Sequence, residues 1–132
     1  MSTNKILKTY LKDLILELKK LKAILEFENK EINKGMLNIL NTTNPAKDLI
    51  LNSINNYYVT INSWLEGEQK IQEEIKKLIN DTRILNEQVC IQYNNICKIL
   101  KGLLDKKSTI PKVQFSKSFF NYNNPILIDV KI

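Results

Sequence analysis

Histidine is absent from the chain. That removes the commonest general base, the commonest metal ligand and the side chain that titrates near neutrality. Glycine is scarce: there are three, each isolated, so no glycine-rich loop can cradle a phosphate. Two cysteines without a histidine give no zinc site. Cys90 and Cys97 lie seven apart in a helical stretch, ~10 Å along its axis. That is too far for an internal disulfide, and they read as small apolar residues facing a core. No apolar run approaches the ~18 residues that a membrane span requires. Lysines interrupt every apolar run of "MSTNKILKTYLKDLIL", Met1 to Leu16, which is not a secretory-leader pattern. A cytoplasmic location is the expectation. With these groups missing, no catalysis, cofactor, metal or small-molecule substrate is expected. Function is to be sought in binding through apolar helix surface.

What the chain does contain is Lys, Glu, Leu, Ile and Asn in quantity, a composition for long helices with short connections. The net charge is +6, from 20 basic and 14 acidic residues. The lysines are dispersed. "KKLK" (Lys19 to Lys22) and "DKK" (Asp105 to Lys107) are short and have carboxylates close by, the pattern of a solvated helix face. A nucleic-acid partner, which would call for a clustered patch, is not expected.

Periodicity organises the rest. Leu7, Leu11, Leu14, Leu18, Leu21 and Leu25 repeat at alternating steps of four and three, and the same register continues to Glu28 and Ile32. This is an a/d seam over nearly four heptads. "TTNP" then predicts an end to helix one near Leu40, with Asn44 as N-cap and Pro45 as first residue of helix two. A second seam reads Ile50, Ile54, Tyr57, Ile61 and Trp64, meets Glu68, resumes as Ile71, Ile75, Leu78, Thr82, Leu85 and Val89, and after Gln92 continues with Ile96, Ile99 and Leu103. Gly67 is the one candidate break in it. Either one long helix spans Gly67 or the glycine marks a second turn. Compactness favours the turn, the unbroken phase favours a helix that continues with at most a bend, and the continuous helix is the expectation. From Asp105 onward two prolines and several Asn and Ser remove the helical period. The expected fold is all-α: an elongated antiparallel hairpin or bundle of two or three long helices over residues 1–104. An extended or flexible tail is expected over 105–132.

Around Gly35 the spacing becomes more specific. Leu37, Leu40, Lys47, Ile50 and Leu51 follow it at fixed offsets, "ENKEI" (Glu28 to Ile32) precedes it, and "RILNEQV" (Arg83 to Val89) lies downstream. This ordered set, covering roughly residues 7 to 104, resembles the FlgN family of flagellar export chaperones. The chain departs from the family's pattern at Met36, where an acidic residue is usual, and at Val89–Cys90, where Asn-Gly is usual. The resemblance implies cytoplasmic escort of hook-associated (hook–filament junction) proteins to the export apparatus. It also implies that the last long helix, from about Gln69 to Leu104, holds the client's C-terminal helical segment.

That helix carries more apolar residues than one seam can use. A helix apolar over so wide an arc either sits central in a bundle or leaves a stripe for a partner. The candidate contacts are Ile84, Leu85, Val89, Ile91, Cys97 and Leu100. Trp64 falls on the seam and is expected in the core. Two other functions fit the same sequence. A structural coiled-coil scaffold would use the heptads for permanent assembly. A basic adaptor for nucleic acid or an acidic membrane surface would bind in a strongly salt-dependent way. Monomer and homodimer are both open.

Overall fold

The structure, a computed structural model, describes residues 3–66 and 70–105. They form three helices: α1 (Thr3–Asn33), α2 (Ile39–Leu65) and α3 (Glu73–Asp105). The fold is all-α, and the helices pack side by side as a bundle. The chain runs up, down and up. Glu28 meets Lys47, so α2 is antiparallel to α1. Lys8 meets Glu74 and Asn29 meets Gln92, so α3 is parallel to α1. α1 packs closely against both partners, while α2 and α3 approach each other much less. No helix among the described residues is long and apolar enough to cross a membrane.

The sequence explains why α1 is central. Its seam is leucine at six successive positions, and Leu7, Leu11, Leu14, Leu18, Leu21 and Leu25 are all completely buried. Each such side chain contributes roughly 2 kcal/mol by leaving water. Glu28 and Ile32 complete the seam and are buried too, as the register predicts.

α1 ends earlier than the proline signal suggests. Gly35 adopts φ +85°, the left-handed region that costs a side-chain-bearing residue. Its N–H bonds to the Ile32 carbonyl at 2.9 Å, and the Met36 N–H bonds to the Glu31 carbonyl at 3.0 Å. These two bonds close a Schellman cap with Gly35 at its left-handed position. α2 then starts at Ile39, through bonds of 3.4, 3.2 and 3.1 Å from Ile39, Leu40 and Asn41 back three residues to Met36, Leu37 and Asn38. Asn44 and Pro45 are thus not a boundary. Pro45 lies inside α2. The break falls at Gly35 because a capped glycine ends a helix outright. A proline in the second turn withholds only one N–H, from the Asn41 carbonyl, and its exposed ring stays clear of the core.

The second boundary also differs from expectation. α2 stops at Leu65, with Glu66 donating to the Asn62 carbonyl at 3.0 Å, and α3 begins at Glu73. The helix is therefore not continuous. Gly67 itself lies outside the described residues, as do the strand-like end and the rest of the predicted tail from 106 on. The phase misled because Leu65 and Ile75 are ten residues apart, which a heptad register spans as three, four and three. Continuous phase is equally compatible with a turn that brings a second helix back onto α1.

The buried stripe of α2 is Leu40, Asn44, Lys47, Leu51, Ile54, Tyr58, Ile61 and Leu65. It shares Ile54 and Ile61 with the expected seam but takes Leu51, Tyr58 and Leu65 in place of Ile50, Tyr57 and Trp64. Trp64 is 38% exposed and is not a core anchor. Tyr57 packs at the flank, its ring 6.4 Å from that of Tyr10. On α3 the buried stripe is Ile75, Ile79, Thr82, Asn86, Val89, Tyr93, Ile96 and Leu100. Leu78, Leu85 and Ile99 sit half-buried beside it.

Candidate functional site

The six candidate contacts on α3 do not form one stripe. Ile84 and Ile91 are 47% and 58% exposed. They stand two turns apart on the face opposite the seam, so their side chains line up along the helix. Exposed Lys77, Asn80, Glu87, Asn94 and Lys98 surround them. Leu85 and Cys97 are half-buried and packed against the core. Val89 and Leu100 belong to the core itself, at 0% and 7% exposure, and are corrected from contact to packing. The heptad explains this. Val89 and Leu100 lie on the α3 seam that faces α1 and α2, while Ile84 and Ile91 lie half a turn away from it.

Leu85 flanks the side of α3 that meets α1, where Lys8 reaches Glu74 at 2.6 Å and Asn29 donates to the Gln92 side chain. Lys8 holds the Glu74 carboxyl below its ordinary value. Cys90 and Cys97 lie on the side toward α2, close to Tyr58 and Lys47 respectively. Both thiols are free, and burial raises both. Each is therefore a poor thiolate and an unreactive packing group. Asn86, beside Leu85 in the family-like motif, is buried on the seam.

The densest polar constellation lies elsewhere, inside the bundle. Glu28 of α1 and Lys47 of α2 are both fully buried, with Lys47 Nζ 2.8 Å from Oε2 and 3.0 Å from Oε1. The Thr43 hydroxyl, with one proton to give, lies within hydrogen-bond reach of Oε2 and of the Ile39 carbonyl at 3.1 Å. From α3, the Tyr93 ring covers the ammonium with its centroid 5.9 Å away. All three helices thus contribute to one buried layer: Glu28 from α1, Thr43 and Lys47 from α2, and Tyr93 from α3. Burial lowers the Lys47 pKa, and the Glu28 charge opposes that shift. Burial raises the Tyr93 hydroxyl far above its ordinary value, with Glu28 adding to the effect. Tyr58, about three turns further along α2, is likewise raised by burial, and its hydroxyl has no hydrogen-bond partner among the described residues.

Periodicity alone missed this layer. The signal was available in Glu28, which falls on an otherwise leucine seam and demands a buried partner. Lys47 supplies it from a position that a hydrophobic reading of α2 rejects. No group of three or more His, Cys, Asp or Glu among the described residues is arranged to hold a metal ion. The arrangement defines a three-helix bundle with a buried polar layer built on the Glu28–Lys47 pair and an outward apolar pair on its third helix. No protein-family model, curated protein or solved structure matches the chain.

Proposed function

We propose that this protein is a cytoplasmic export chaperone of the FlgN type. It holds the C-terminal helical segment of a hook-associated protein and delivers it to the export apparatus, by binding and not by catalysis. The observation that carries this reading is the fate of the residues that make up the resemblance. Gly35 closes α1 in a left-handed cap, and Leu37, Leu40 and Leu51 are core. Glu28 of the acidic segment pairs with Lys47 of the downstream pattern. Six positions picked out by spacing thus share one structural purpose, the α1–α2 hairpin. The client surface in this reading is the outer face of α3, with Ile84 and Ile91 as anchors and Leu85 at its edge.

Capture from native cytoplasm at low and high salt tests both function and site. The expected result is recovery of a hook-associated protein at both salts, reduced at least tenfold by Ile84→Asp with Ile91→Asp. Both positions are exposed, so helicity by circular dichroism should be unchanged. Undiminished capture by the double variant would move the site. Recovery of nucleic acid alone, lost at high salt, would replace the chaperone with a basic adaptor.

A further inference from the structure

The turn that joins α1 to α2 depends on one backbone angle, φ +85° at Gly35. A Cβ built there would meet nothing within 4 Å, so no steric contact requires a glycine; only the angle does. The bonds across the turn are those of the cap and of the tight first turn of α2, and a helical 34–38 segment would replace them with ordinary helical ones. In that straight form Met36 falls four residues after Ile32 and four before Leu40, on the seam that both helices share. In the hairpin Met36 is 59% exposed.

A single helix from Thr3 to Leu65 cannot fold back on itself, and the leucine seam of α1 would be left bare. The surfaces that fit this seam are α2 and α3, which it meets within one chain, and a second copy provides both. Two such helices laid antiparallel, with a two-fold axis near Met36, put each α1 against the α2 of the other copy. Each α3 follows its own α2 and so lies on the other copy's α1. The helix-to-helix contacts of the bundle outside residues 34–38 are kept, and each Glu28 pairs with the Lys47 of the second chain.

We propose that residues 34–38 are a hinge through which two copies of this chain exchange α1, giving a symmetric swapped dimer. The buried pair supplies a decisive test. Glu28→Lys places two lysines in the layer of one chain, and Lys47→Glu places two carboxylates in the layer of the other. Neither chain can satisfy its own layer. A swapped heterodimer satisfies both halves. In one half the two substituted side chains meet as a pair of reversed polarity, and in the other the native Glu28 meets the native Lys47. Full-length chains carrying the two substitutions, refolded together, are expected to give a folded one-to-one heterodimer by light scattering, while each refolded alone does not. Absence of that heterodimer would overturn the proposal. Gly35→Ala gives an independent reading that does not disturb the core. Alanine is strained at this angle and at ease in a helix. The monomer–dimer dissociation constant should fall at least tenfold, and Gly35→Asn, which tolerates the left-handed region, should change it far less. A Gly35→Ala protein that is folded and monomeric at every concentration would overturn the exchange.

Discussion

At the scale of single residues, Lys47 decides most. Its ammonium is fully buried and bonded to both oxygens of Glu28. Removing one partner of such a pair leaves an uncompensated charge in the interior. Lys47→Ala should therefore cost about 3–5 kcal/mol in denaturant unfolding. Glu28→Leu with Lys47→Leu should be neutral or should gain about 1–4 kcal/mol, because the desolvation of both charges disappears together. If the single and double variants lose the same stability, the pair is not the reason for the loss. The same residue explains where the sequence reading failed. Two adjacent stripes on α2 are about equally apolar, Ile50–Tyr57–Trp64 and Leu51–Tyr58–Leu65. A lysine on the second makes the first look better. The partner that makes Lys47 acceptable lies on another helix, and the periodicity of one helix carries no information about it. Asn86 and Tyr93 disguise the α3 seam in the same way, so that half-buried Leu78, Leu85 and Ile99 were read onto it and buried Leu100 was read outside it.

At the scale of elements, the buried seam of α1 was legible to the residue because it is nearly pure leucine, but its end was not: the helix expected to run to near Leu40 stops at Asn33. α2 was legible in existence but not at its start, where Pro45 competed with Gly35 as the boundary. The structure makes the proline an internal defect. Proline in a helix interior is about 3 kcal/mol less favourable than alanine. It also restricts the unfolded chain, which offsets about 1 kcal/mol of that cost. Pro45→Ala should accordingly stabilise the protein by about 2 kcal/mol and raise the melting temperature by roughly 10 °C for a domain of this size. A loss of stability would mean that Pro45 starts a helix and does not interrupt one. Asn44, buried at the same level of the bundle, would then be the cap that the dipeptide suggests.

At the scale of the whole molecule, one helix organises two others, and the buried polar side chains couple all three. The coupling has a pH signature. Burial raises both Tyr58 and Tyr93 above the ordinary tyrosine value of 10.0. A group whose pKa is raised on folding holds its proton more tightly in the folded state. Its contribution is complete below pH 10 and is lost as pH rises above it, by about 1.4 kcal/mol per pH unit for each tyrosine. Lys47 works in the opposite sense. Its folded pKa is lowered, so its titration favours the folded state as pH rises, up to its ordinary value of 10.5, beyond which it adds nothing more. The two tyrosines therefore dominate in strong alkali, and they lie on different helices, α2 and α3. Unfolding above about pH 10.5 should be a single transition in which tyrosinate absorbance at about 295 nm and helicity at about 222 nm change together. Tyr58→Phe should move the midpoint upward, at little cost at neutral pH because its hydroxyl has no hydrogen-bond partner to lose. Tyrosinate absorbance from both buried rings appearing well before helicity is lost would show that the interior admits hydroxide without unfolding, and that the layer does not bind the three helices into one cooperative unit.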